Sequence, residues 1–211
     1  MKQEDRRNFD SEAAGWDDDP RRVKLAADVA QTIIREAGPS GEMNALDFGC
    51  GTGLVTLHIQ PLVKSITAVD SSRGMLEVLK KKIGGREIHN VFPLFVDIEK
   101  GGRIESGKFH LIVSSMTMHH VPDTAGLLRL WHDLLLPGGI LSVADLDSED
   151  GSFHSDNTGV YHFGFDRSKL MELMRQAGFT GIKDTTAATM ERDMEEGKRE
   201  FPVFLITGKR G

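Results

Sequence analysis

The sequence predicts an α/β fold in which a largely parallel sheet carries helices on both faces. Two observations predict it. Short apolar, β-branched runs alternate along the chain with segments whose apolar residues recur at three- and four-residue spacing, the signature of strands interleaved with helices. At Asn44-Ala45-Leu46-Asp47-Phe48-Gly49-Cys50-Gly51-Thr52-Gly53, one such run passes directly into three alternate glycines and then into a helical pattern. Glycine tolerates unusual backbone angles and lets a ligand approach the main chain without meeting a Cβ. This turn is therefore the expected floor of a cofactor site, with a helix starting just after Gly53 expected to offer its free N–H groups.

A chain of 211 residues suits one well-filled core. A single domain over residues 1–211 is expected, with an N-terminal arm and helix in 1–40 and the sheet core in 41–211. Hydrophobic residues at 39% and charged residues at 27% are those of an ordinary globular protein, and no apolar run is long enough to cross a bilayer. Met1-Lys2-Gln3-Glu4-Asp5-Arg6-Arg7 has no apolar segment of the secretory type, so a cytoplasmic location is expected. The net charge of −6, with no basic face bearing interleaved aromatics, disfavours a nucleic-acid substrate. The lone Cys50 can form no internal disulfide and belongs to no zinc-type spacing; it reads as a small side chain within the glycine turn.

Taken in order, Phe9 to Pro20 is polar with two isolated aromatics, Phe9 and Trp16. Arg21 to Ala37 places Val23, Ala26, Ala27, Ala30, Ile33 and Ile34 on one helical face and stops at Gly38-Pro39. The first strand covers Leu46 to Phe48, and a helix is expected from Gly53 to Ile59, closed by Pro61. Ser65 to Val69 is the second strand, with Asp70 at its carboxyl end. Met75, Leu76, Val78, Leu79 and Ile83 mark a helix ending at Gly84-Gly85. The third strand is Val91 to Val96, followed by Asp97, and the fourth is Phe109 to Val113, a run without alternation that suits burial on both faces. Leu127 to Leu135 is helical, Pro137-Gly138-Gly139 turns the chain, and Ile140 to Ala144 is the fifth strand. Residues 145–166 form a long polar loop, the kind usually functional in a compact domain. A helix through Leu170, Leu173, Met174 and Ala177 precedes a strand at Phe179 to Thr186. A last strand, Phe201 to Thr207, joined through Asp193 to Arg199, should pair antiparallel.

Asp47, Asp70 and Asp97 fall at or beside the ends of the first three strands, where open α/β sheets bind ligands. A carboxylate accepts two hydrogen bonds at once, which suits Asp70 to a pair of ribose hydroxyls. With the acidic residue before Gly49-x-Gly51-x-Gly53, the chain resembles the class I S-adenosylmethionine (SAM)-dependent methyltransferases. The likeness spans roughly Asn44 to Gly208. It implies a Rossmann-like seven-stranded sheet whose last strand is antiparallel, and transfer of a methyl group from SAM, leaving S-adenosylhomocysteine, to an O, N, S or C atom of a small-molecule acceptor. By that resemblance Asp47, Gly49, Gly51 and Gly53 form the first motif, Asp70 grips the ribose and Asp97 meets the adenine amine. Ser71, Met75 and Ile98 pack the adenine ring, and Ser114 is counted with the cofactor residues.

Ser114-Ser115-Met116-Thr117-Met118-His119-His120-Val121-Pro122-Asp123 resembles the fourth motif of methyltransferases that act on small molecules and quinone precursors. Histidine titrates near neutral pH, so His119 is the candidate catalytic base or substrate orienter, with a loop-bonding histidine as the alternative. By the same resemblance the segment around Trp16 is an arm closing over the cofactor and acceptor, the alternative being a tail anchored by one aromatic. Tyr161 and Phe163, with Phe165, are candidates for lining the acceptor pocket, or for core packing. The set Asp145, Asp147, Glu149, His154, Asp156 and His162 has no fixed ligand spacing and suits solvated turns, so no metal is expected. The competing functional readings are a nicotinamide-dependent oxidoreductase, against which the missing Gly-x-x-Gly spacing argues, and a SAM-binding protein without catalysis.

Overall fold

The computed structural model describes residues 7–105, 108–194 and 197–211. The segment 1–6 and residues 195–196 of the last connection lie outside the described residues. The strands β1 (Asn44–Phe48), β2 (Ser65–Asp70), β3 (Val91–Phe95), β4 (Phe109–Ser115), β5 (Leu135–Leu146), β6 (Phe179–Met194) and β7 (Gly197–Arg210) form one seven-stranded sheet in the order β3-β2-β1-β4-β5-β7-β6. Strands β1 to β5 pair in parallel, and β7 lies antiparallel between β5 and β6. The Rossmann-like sheet with an inserted antiparallel last strand is thus the architecture present.

Helices cover both faces. On one side α2 (Pro20–Ala37), the short α3 (Thr56–Ile59) and α4 (Arg73–Gly85) bury Leu25, Val29, Ile33, Ile59, Leu76 and Leu79 against Ala45, Ile66, Ala68 and Leu111. On the other side α5 (Thr124–Leu134) and α6 (Arg167–Gln176) pack Leu128, Trp131, Leu170 and Met174 against Leu46, Ile112, Leu141 and Phe204. The four longer helices begin at residues suited to capping them. Asp19 accepts a hydrogen bond from the Arg21 N–H with Pro20 in the first turn, and Gly38 ends α2 in the left-handed region at φ +58°. Ser72, Asp123 and Asp166 cap α4, α5 and α6 in the same way.

Three elements differ from expectation. The helix after the glycine turn is only one turn long, because Gly51 and Gly53 hold φ of +54° and +84°, incompatible with a right-handed helix, and the chain reaches helical geometry only at Thr56. The free N–H groups expected there are replaced by a series of turns. Strand β5 begins at Leu135, before the Pro-Gly-Gly turn, and its pairing shifts register between Phe109 and Leu111 to absorb those residues. Strand β6 runs to Met194, well past Thr186. Beyond the last β5 pair, Leu146 with Val203, the β6–β7 ladder continues from Thr189 with Pro202 to Met194 with Gly197. The far half of this hairpin therefore stands clear of β5.

Candidate functional site

A cavity of about 550 Å³ opens at the carboxyl ends of the strands, lined by residues that follow β1, β2 and β4. This is the crevice where strand order reverses between β1 and β4, the usual ligand position in such sheets, and its volume suits a small-molecule ligand. Its floor is the glycine turn, and each glycine there has a different reason. A Cβ on Gly49 would collide with Thr117, and one on Gly53 with Leu79, whereas one on Gly51 would meet nothing within 4 Å. Gly51 is thus the open cradle, while Gly53 serves packing and lies off the cavity wall.

The two oxygens of Asp70 each accept a backbone N–H at 2.8 Å, one from Gly51 and one from Ser72. These bonds tie the end of β2 to the glycine turn and aim the carboxylate, and a carboxylate has acceptor capacity left for further donors. Burial raises the Asp70 carboxyl above its ordinary value, more than those N–H groups lower it, so hydroxyl donors from a ligand would be welcome there. Asp47, buried one strand away, accepts a 2.5 Å bond from the Thr56 hydroxyl; burial, the larger effect, raises it to about 7. Asp97 accepts from the Lys100 N–H at 3.3 Å and pairs with the Lys100 ammonium at 3.2 Å. Ser71, Met75 and Ile98 line the same end of the cavity.

The N-terminal arm is folded, as a short helix α1 (Phe9–Glu12) continued by a 3₁₀ turn (Ala13–Asp18). Two aspartates fasten it. Asp10 accepts from the Ser72 hydroxyl at 2.6 Å and the Gly74 N–H at 2.7 Å. Asp17 accepts from the Thr52 hydroxyl at 2.6 Å and pairs with Lys82. The contact needs glycine at position 74, where a Cβ would sit 2.8–2.9 Å from the Asp10 backbone. Held this way, Trp16 forms part of the cavity wall, with the Arg22 guanidinium 4.0 Å from its ring centre and Phe9 edge-on at 5.9 Å.

The opposite end of the cavity is a histidine cluster. Met116 closes β4 with φ +53°, a left-handed conformation rare outside glycine and found where a chain must turn sharply. The next turn, Met118–His120, buries His119. His119 Nδ1 lies 2.7 Å from Asp145 Oδ1, at the end of β5, and its backbone N–H donates to Asp145 Oδ2 at 3.2 Å. These contacts hold Asp145 below the usual carboxylate range although burial opposes them. The Nε2 of His119 is buried with no hydrogen-bond partner. His120 directs Nδ1 to the Gly159 carbonyl at 2.7 Å. The loop after β5 docks here, with the Tyr161 N–H donating to the His119 carbonyl at 3.0 Å.

Of the residues singled out from the sequence, Asp47, Gly49, Gly51, Asp70, Ser71, Met75, Asp97, Ile98, Trp16, His119 and Tyr161 line this one cavity. Three do not. Gly53 is turned to Leu79 as described; Ser114 is buried within the sheet and donates to the Phe48 carbonyl at 2.9 Å; Phe163 is 45% exposed and rests on Gly151. The acidic and histidine set of the long loop is mostly spent on local structure. Asp147 forms a two-pronged pair with Arg167, Glu149 and Asp156 cap turns, and His162 Nε2 lies near the Thr124 hydroxyl and the Val121 carbonyl. Residues that the sequence did not single out for the site also line the cavity: His120, Phe153, Met190 and Arg192. Arg192 lies over the Phe153 ring at 4.5 Å with its Nε buried and unpartnered. The His119-His120 pair was a visible signal; Met190 and Arg192 sit on the part of β6 that reads as a polar link.

A family model described as a methyltransferase domain matches residues 21–184. The chain is 29% identical over 194 residues to an uncharacterized methyltransferase of Schizosaccharomyces pombe, covering 85% of this chain and 68% of that one. It is 21% identical over 195 residues to a ubiquinone biosynthesis O-methyltransferase of Acinetobacter baylyi, covering 84% and 82%. The fold resembles that of Haemonchus contortus phosphoethanolamine N-methyltransferase 2 in complex with SAM, with a TM-score of 0.69 and 15% identity over 86% of this chain and 52% of that one.

Proposed function

Because the chain belongs to the methyltransferase-domain family and is a methyl-transferring enzyme by that membership, we propose that its donor is SAM and its acceptor a small molecule bound at the histidine end of the cavity. The observation that carries this reading is the continuity of one cavity from the Gly51–Asp70 cradle to His119. The open space over Gly51 and the aimed carboxylate of Asp70 fit a ribose and its neighbouring groups. Gly49, Gly51 and Asp70 would hold the donor, with Asp97, Ser71, Met75 and Ile98 around its base. When bound, SAM supplies an activated methyl group on a sulfonium.

What the chain itself must do is hold the acceptor in line and remove a proton where the nucleophile carries one. Asp145 fixes the His119 ring and favours the tautomer with its proton on Nδ1, so the unpartnered Nε2 keeps a free lone pair, the arrangement that prepares an imidazole to accept a proton. Trp16, Tyr161 and Phe153 bound the acceptor space with aromatic surface. Arg192 offers a donor to an oxygen-bearing acceptor. The arm and the far half of the β6–β7 hairpin both supply residues to the cavity wall, where they would help to keep water from the reacting groups. The relatives named above act on a quinone precursor pathway and on phosphoethanolamine by their names, which supports a small-molecule acceptor here; the matches lend nothing to the nicotinamide alternative.

The test is calorimetric titration with SAM, S-adenosylhomocysteine and NAD, followed by a panel of phenolic, thiol and amine acceptors with mass detection of the methylated product. SAM binding with a product 14 mass units heavier, by roughly one CH₂, is the expected result. Binding of NAD in place of SAM would overturn the reading.

A further inference from the structure

His119, His120 and His154 each place one ring nitrogen within 4.8 Å of the others, at the wall of the cavity. The three rings come from two separate parts of the chain. His119 and His120 belong to the turn after β4, and His154 to the loop after β5, whose Gly159 and Tyr161 are hydrogen-bonded to that same turn. Such convergence of three imidazoles calls for a physical reason, since like rings gain little from one another and would repel if charged.

Their hydrogen bonding supplies one. A histidine that ligates a metal through one nitrogen normally donates its other N–H to a carboxylate or a backbone carbonyl. His119 does so to Asp145 at 2.7 Å and His120 to the Gly159 carbonyl at 2.7 Å. Those bonds leave the Nε2 of each of these two rings as the nitrogen free to ligate. His119 Nε2 and His154 Nε2 are both buried with no hydrogen-bond partner, a costly state for a polar atom, and His119 is 1% exposed.

We propose that His119, His120 and His154 form a binding site for a divalent transition metal, zinc or a similar ion, with its fourth position open to the acceptor end of the cavity. Imidazole is the ligand these ions favour, and three protein ligands with one open place is the arrangement of reactive rather than structural zinc. Metal–nitrogen bonds of about 2.0–2.1 Å draw the rings together by side-chain rotation. Asp145 is then a positioning residue that keeps His119 in the ligating tautomer. With the ion bound, His119 Nε2 is a ligand and no longer a proton acceptor; the open position receives the hydroxyl or thiol of the acceptor, whose proton is released to solvent because the ion stabilises the resulting anion. This rests on the proposed acceptor location and gives it a chemical class: an oxygen or sulfur nucleophile able to ligate a metal.

The protein, stripped of metal with a chelator and dialysed, is titrated with Co²⁺ and followed by visible absorption, with Zn²⁺ as competitor. About one equivalent of Co²⁺ should bind with the intense bands of a four-coordinate site, and Zn²⁺ should displace it. His154→Ala and His120→Ala should abolish the bands, and Asp145→Asn should weaken binding roughly 10–100-fold. SAM binding, measured by calorimetry on the same variants, should persist in each. Absence of Co²⁺ bands in the wild-type protein, or bands that survive His154→Ala, overturns the metal site while leaving the methyltransferase reading standing. Loss of SAM binding by the wild-type protein would instead refute that reading.

Discussion

His119 Nδ1 and Asp145 Oδ1 lie 2.7 Å apart in side chains that are 1% and 0% exposed, so the link between the ends of β4 and β5 is a fully buried polar pair. Asp145 also accepts from the backbone N–H groups of His119 and Leu146. Removing one member of such a pair leaves several donors unpaired. Asp145→Ala should lower stability by about 3–5 kcal/mol, read as a shift of the urea midpoint. Because Asp145 is held below its ordinary carboxylate range, its contribution is present above the unfolded value of about 3.9 and is lost as pH falls through the folded one. A variant as stable as the wild type would mean that the pair contributes nothing to the fold.

Asp70→Ala should weaken SAM binding more than Asp97→Ala. Asp70 anchors Gly51 and Ser72 and would serve two hydroxyls of the ligand, so its loss leaves more than one group unpaired, at about 1–3 kcal/mol each. Asp97 already pairs with Lys100 and would lose one contact to an exocyclic amine. Equal losses by calorimetry would place the ribose elsewhere.

Gly74→Ala should release the arm without harming the core. The added Cβ would meet the Asp10 backbone at 2.8–2.9 Å, while alanine is the better helix former in α4 by about 1 kcal/mol. Hydrogen exchange over residues 9–18 should accelerate, Trp16 emission should change and SAM affinity should fall, with the urea midpoint unchanged or slightly higher. Unaltered exchange in the arm would show that α4 and the arm can part without consequence.

Asp47 sets a pH dependence of the opposite sign to Asp145. Burial raises it to about 7, so the folded chain keeps a proton that the unfolded chain releases between about pH 4 and 7. Stability from this group therefore falls as pH rises through that window and levels off above the folded value, by no more than about 4 kcal/mol. Asp47→Asn should remove this contribution. The difference between variant and wild-type urea midpoints, without ligand, should grow in favour of the variant from acid to neutral pH. A constant difference would show that Asp47 does not titrate there.

The parallel core was legible because apolar and β-branched residues dominate its strands: Leu111 to Val113 and Ile66 to Val69 are unbroken runs of them, and most of their positions are buried. The far half of β6 was not. Thr189, Glu191 and Asp193 are exposed and alternate with Met190, Arg192 and Met194, which are less exposed, but with a charged residue in the middle of that face the alternation is too sparse to separate from a turn. The part of the cavity around Gly51, Asp70 and Asp97 could be read because its residues follow consecutive strands. The histidine end could be read only in part, since His119 and His154 are brought together by how the loop after β5 docks, and neither spacing nor composition encodes that. Gly53 and Ser114 stood in the right places but were turned by packing, Gly53 toward Leu79 and Ser114 toward the Phe48 carbonyl.

The insertion of β7 between β5 and β6 also fixes when the enzyme can come into being. A chain leaving the ribosome makes β6 before β7, yet among the described residues β6 pairs in the sheet with β7 alone, so it must wait for β7 before it can pair. Met190 and Arg192 then arrive opposite the arm, the first described part of the chain to be synthesised. A nascent chain stalled before β7 therefore carries a half-walled pocket, and a ligand cannot use the finished site to guide folding until β7 has been made.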